Sequence, residues 1–131
     1  MRKSTTEPEK VLSSAVLKAA GILNIEQAVL AKILGISRPT AARLFNGKYT
    51  LSATRKNEWD LAILFVRVFR SLETLVGHAD SARQWLEGHN KALNAKPIDL
   101  LVKFEGIVRV LHYLDAYRGC ISESSKFSTG D

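Results

Sequence analysis

Residues 27–46 read QAVLAKILGISRPTAARLFN, and their spacing decides the architecture of the first half of the chain. Apolar residues recur at Leu30 and Leu34, then Ile36, Ala41 and Leu44, the three-to-four-residue period of amphipathic helices. Gly35 stands where the first run stops, and glycine adopts the positive φ of a sharp turn without a Cβ penalty. Ser37 is a good N-cap, and Pro39 falls in the following first turn, where a missing N–H costs little. Ala31 is small where two helices cross closely, and Gly47 ends the second run. The spacing predicts helix, tight turn, helix, with Leu30, Leu34, Ile36, Ala41 and Leu44 as the buried seam.

The exposed side of the second helix then offers Ser37, Arg38, Thr40 and Arg43, with Asn46 and Lys48 just past its end. These side chains are donors and acceptors suited to base edges and phosphates in a major groove. Helical hairpins with a glycine turn are common, so the charge distribution adds independent weight. The whole chain carries a formal +6, but residues 1–56 hold ten Lys/Arg against three acids, whereas residues 57–131 hold nine against ten. The first half therefore suits a polyanion; a solvated basic surface without a partner is the alternative reading.

The small residue, the glycine turn and the later "NG" make this stretch resemble the DNA-binding domain of Xre/Cro-type repressors. One departure is Ala41, where those proteins usually place a β-branched residue in the seam. The resemblance implies that Ser37, Arg38, Thr40 and Arg43 face bases. It implies that Gln27, Asn46 and Lys48 face phosphates, Gln27 through the start of its helix, with Tyr49 either joining them or packing. It also implies double-stranded operator DNA as a partner and a homodimer, because one helix-turn-helix reads few base pairs.

Outward from this motif the chain reads as helix throughout. Residues 1–10 read as a mobile tail, followed by a helix over about Val11–Ala20 that Gly21 ends. Asn24 and Gln27 read as the cap and capping-box partner of the next helix. The longest helix spans about Lys56–Val76, with an apolar stripe from Leu61 through Phe65, Phe69 and Leu72 that is either core or a dimer interface, and Gly77 stops it. Asp80 reads as the cap of a short helix, and Pro97 opens "PIDLL". A final helix covers about Glu105–Arg118 before Gly119 and a loose polar end. The resulting divisions are a tail at 1–10, a helix-turn-helix unit at 11–56, a connecting helix at 57–79, a second helical unit at 80–119 and a tail at 120–131.

Little suggests chemistry. Hydrophobic residues make up 46%, a normal share for a packed protein rather than a disordered one. No apolar run approaches the roughly 20 residues of a membrane span, and no apolar segment follows the basic start as a secretory signal requires. A cytoplasmic protein without a membrane partner is expected. Cys120 is the lone cysteine, with no orienting acid nearby. His78, His89 and His112 lack metal-ligand spacing. No phosphate loop or nucleophile elbow is present. We therefore expect no catalytic residue, metal or cofactor.

Residues 80–119 read DSARQWLEGHNKALNAKPIDLLVKFEGIVRVLHYLDAYRG. Trp85 and Leu86 read as core anchors, Asn90 ties down the polar turn, and Gly106 permits a close approach early in the last helix. The order Ala82, Trp85-Leu86, Asn90, Leu93, Pro97, Asp99-Leu100-Leu101 and Glu105-Gly106 resembles the C-terminal module of the Xre/MbcA/ParS antitoxins. Two positions depart from it: Asn94 and Ala95 stand where a glycine is usual, and Lys103 where a small hydroxyl residue is common. The resemblance implies an all-α protein, a Cro/Xre-like helix-turn-helix domain joined by a long helix to a small toxin-binding domain. The implied partner is a RES-domain toxin, an NAD-consuming enzyme whose active site the antitoxin blocks, with repression of its own operon through operator binding. Arg109, Tyr113, Tyr117, Arg118 and Gly119 become the toxin-contact candidates, with helix packing as the plain alternative for the two tyrosines. Trp85, Asn90 and Pro97 are assigned to scaffold. Competing functions are a plain regulator whose second half binds a small ligand or dimerises, and a partition-type centromere binder.

Overall fold

The computed structural model describes residues 5–130, with side chains through Arg118. Helix α1, Glu7–Leu23, starts inside the segment expected to be a tail. Its start is fixed by a capping box: the Glu9 N–H donates to Thr6 Oγ1 at 3.3 Å, and the Thr6 N–H donates back to the Glu9 carboxylate at 3.0 Å. Pro8 sits in the same first turn, where its missing N–H leaves nothing unpaired. The helix passes through Gly21 and closes at Asn24, which takes the left-handed conformation at φ 58°. Asn24 thus ends α1 instead of capping α2, because asparagine tolerates that region and its N–H reaches the Ala20 and Gly21 carbonyls.

Helix α2, Gln27–Leu34, follows without a side-chain cap, and Glu26 stands at its N-cap position. Gly35 turns the chain at φ 69°. A Cβ there would lie 3.1 Å from Asn57 Nδ2 and 3.3 Å from Leu61 Cδ1, so the turn also presses against the next long helix. Helix α3, Arg38–Phe45, is capped by Ser37, whose Oγ accepts from the Thr40 N–H at 3.2 Å. The expected seam is buried at Leu30, Leu34, Ala41 and Leu44, while Ile36 is half-buried.

Helix α4, Lys56–Val76, is the centre of the molecule and packs against α1, α2, α5 and α7. Phe65, Val68 and Leu72 are fully buried, each contributing roughly 1.5–3 kcal/mol through burial of its side chain. Leu61 and Phe69 are buried with them, whereas Leu64, Leu75 and Val76 on the same helix are half-buried. After Gly77, helix α5, Ala79–Glu87, starts one residue before its expected cap. Asp80 lies in its first turn and pairs with Arg83 at 2.9 Å. Helix α6, Pro97–Leu101, packs on α7, Phe104–Gly130. A Cβ on Gly106 would overlap the Leu100 carbonyl, which is why α6 and α7 can meet so closely.

The last helix does not stop at Gly119. No proline interrupts the residues that follow, and a glycine within a helix costs only about 0.5–1 kcal/mol relative to alanine. The segment expected as a loose tail therefore continues α7 to Gly130. The 88–96 turn holds its shape through Asn90, which exchanges backbone bonds with Ala95 and accepts from the Leu93 N–H through Oδ1 at 3.0 Å. Asn94 supplies the left-handed residue at φ 56°, doing the work of the absent glycine.

Candidate nucleic-acid and partner interfaces

The loop that leaves α3 is held from two sides. Glu9 accepts from the Ala53 N–H at 2.9 Å, and Ser13 accepts from the Leu51 N–H at 2.9 Å, both reaching across from α1. The bonds from the Thr6 and Ala53 N–H groups hold the Glu9 carboxyl down at about 2, against the opposing effect of burial. On the other side, buried Glu58 accepts from the Tyr49 hydroxyl at 2.7 Å and from Arg55 Nε at 3.0 Å. Arg55 also lies 4.9 Å over the Tyr49 ring and donates to the Thr50 carbonyl. Burial, reinforced by the Glu58 bond, pushes the Tyr49 hydroxyl above its ordinary value. Tyr49 is thus half-buried and committed to Glu58, as packing rather than as a free phosphate donor.

With its C-terminal loop clamped, α3 presents Arg38 and Arg43 to solvent, with Thr40 half-exposed between them. Ser37, Thr40 and Arg43 form one hydrogen-bonded row. The Ser37 hydroxyl donates to Thr40 Oγ1 at 2.8 Å, and Arg43 Nη2 donates to the same oxygen at 3.1 Å. Asn46 and Lys48 are exposed just beyond the helix, where the Lys48 N–H closes on the Arg43 carbonyl at 2.8 Å. Gln27 is exposed at the first residue of α2, next to N–H groups that no side chain caps. Lys48, Tyr49, Thr50 and Arg55 line an open cleft of about 370 Å3 facing Thr5 and Glu9.

The partner-side candidates divide into two groups. Arg109 is exposed and makes no ion pair among the described residues. Tyr113 and Tyr117 follow at four-residue spacing with ring centroids 6.3 Å apart, and Tyr117 is 53% exposed. Trp85 of α5 stacks on Tyr113 at 6.2 Å and 23°. It is half-buried, packing against the core while its ring extends the tyrosine row. Sequence spacing could not show this, because the contact joins two elements.

Arg118 behaves differently: its Nη1 donates to buried Ser71 Oγ at 2.8 Å, while Ser71 donates to Asp115 at 3.0 Å. Arg67 approaches the same carboxylate at 3.6 Å, so this cluster ties α7 to α4. Pro97 is buried, as a scaffold residue should be. The surroundings of Gly119 and Cys120 lie outside the described residues.

The described residues include no group of His, Cys, Asp or Glu placed to hold a metal ion, and no helix long and apolar enough to cross a membrane. Residues 4–67 match the family model of the antitoxin Xre-like helix-turn-helix domain, and residues 71–119 match that of the antitoxin Xre/MbcA/ParS C-terminal toxin-binding domain. No individual curated protein matches the chain. The two matched segments abut within α4 and follow the observed order of elements, a helix-turn-helix half and then a helical partner-binding half. The chain belongs to the Xre/MbcA/ParS antitoxins.

Proposed function

We propose that this antitoxin neutralises a RES-type, NAD-consuming toxin by covering its active site, and represses its own operon by binding operator DNA as a homodimer. The observation that carries the toxin half is the α7 row of Arg109, Tyr113 and Tyr117, flanked by Trp85, in the segment matched to a toxin-binding domain. Aromatic and arginine side chains are the types that concentrate binding energy at protein interfaces. A site shaped for a dinucleotide pyrophosphate suits a guanidinium such as that of Arg109. In this reading the chain acts in the cytoplasm and binds without catalysing, with no cofactor. Arg118 supports α7 from behind. A twofold dimer would place two α3 helices on half-sites about 34–36 Å apart.

Co-expression with a RES-type toxin tests this directly. Wild type is expected to restore growth and cellular NAD and to copurify with the toxin. Arg109→Ala should lose rescue while keeping operator affinity. Arg43→Ala should keep rescue and lose about 1–3 kcal/mol of operator binding. A wild-type chain that neither restores NAD nor copurifies with the toxin would sink the proposal.

A further inference from the structure

The hydroxyl row on α3 has a chemical polarity that limits what it can read. Thr40 Oγ1 accepts from both the Ser37 hydroxyl and Arg43 Nη2. A hydroxyl oxygen offers two acceptor positions, so only the Thr40 proton is left to face outward. Arg38 and Arg43 have donors and no acceptor, while Pro39 and Ala42 bring no polar side-chain atom. Ser37 already donates to Thr40 Oγ1 and accepts the Thr40 N–H, which leaves it one lone pair at the extreme start of the helix. Between Thr40 and Arg43, the exposed polar side-chain atoms of α3 are therefore donors only.

The same bonds place Arg43. Helical side chains lean toward the N-terminus, and the Thr40 contact draws the guanidinium one turn back, toward the end that helix-turn-helix proteins set against bases. Nη2 spends one hydrogen on Thr40, so one complete two-donor edge of the guanidinium stays free. Thr40 is stiff at χ1, and where threonine in a helix divides between two rotamers, the Ser37 bond selects one.

In the major groove, guanine presents two adjacent acceptors, N7 and O6. Adenine and cytosine present an amino donor, and thymine pairs one acceptor with a methyl group. A donor-only edge satisfies guanine fully and would set donor against donor at adenine or cytosine, which leaves desolvated groups unpaired. We propose that Arg43 reads a guanine in each half-site and that Thr40, held by Ser37, is the positioning residue that makes this contact selective. The assignment rests on the DNA-binding reading above.

Selection of duplexes from a randomised library by the full-length chain tests it, run in parallel with Thr40→Val, Thr40→Ser and Arg43→Ala. Wild type is expected to enrich one guanine per half-site that Arg43→Ala no longer prefers. Thr40→Val, which keeps the branched shape and removes the hydroxyl, should lower that preference about tenfold, on the scale of one bidentate contact. Its melting temperature should stay unchanged. Thr40→Ser should retain the preference, as a merely space-filling role would not require. A Thr40→Val chain selecting the wild-type motif overturns the positioning role, and an Arg43→Ala chain keeping every guanine overturns the assignment of the base. If wild type enriches no sequence, the DNA-binding reading falls and the assignment with it.

Discussion

The Glu9 carboxylate joins the start of α1 to the loop after α3 by accepting N–H groups from Thr6 and Ala53. Its ionised form is favoured on folding, with a folded value of about 2 against an ordinary 4.5. A lowered folded value means stability that is complete above the ordinary value and is lost as pH falls from about 4.5 toward 2. Melting temperature is expected to drop across that window in wild type and to depend less on pH there in Glu9→Gln, by differential scanning calorimetry. Equal pH slopes for the two proteins would remove this role. The clue was in the sequence: Thr6-Glu7-Pro8-Glu9 has the Ser/Thr-x-x-Glu spacing of a capping box, yet its polar composition reads as a tail. Asn94 shows the converse, where a missing glycine suggests an altered turn although asparagine fills the same left-handed region.

Among the helices, those bounded by strong local chemistry were legible. Ser37 with Pro39 fixed the start of α3, Pro97 opened α6, and the long apolar period with Gly77 gave α4 its span. Boundaries were missed where one residue type serves two roles. Asn24 can cap the next helix or close the previous one, and Gly119 can stop a helix or lie within it. The tie that Arg118 makes to α4 is invisible for a different reason: nothing in local sequence shows that buried Ser71 stands opposite it. This gives α7 a back and a front. Arg118→Ala is expected to destabilise the fold by about 0.5–1 kcal/mol, modest because the pair is partly solvated. Arg109→Ala should leave stability within about 0.5 kcal/mol. Chemical denaturation measures both, and a reversed order would exchange their roles.

Across the whole molecule the positive charge sits in the half that matches the helix-turn-helix family, while the toxin-binding half is near neutral. The charge division is legible in composition, and the exposure of Arg38, Arg43, Asn46 and Lys48 follows from their places on the polar side of α3 and the loop after it. The proposed partner surface was less legible, since Trp85, Tyr113 and Tyr117 come together only once α5 and α7 have packed.

The two matched segments meet inside α4, between Arg67 and Ser71, with no flexible joint between them. Modules of this kind therefore cannot be exchanged as beads on a string. Each residue added to a helix turns everything beyond it by about 100° and advances it by about 1.5 Å. Splicing the first half onto a different toxin-binding half is expected to give a cooperative melt only when the residue count through α4 is kept. An added residue at the joint swings Phe69 and Leu72 out of the core and should lower the melting temperature sharply by circular dichroism. A chain that lost its partner could acquire another by recombination only at crossovers that preserve helical phase, so the diversity of such proteins would be set by counting as much as by chemistry.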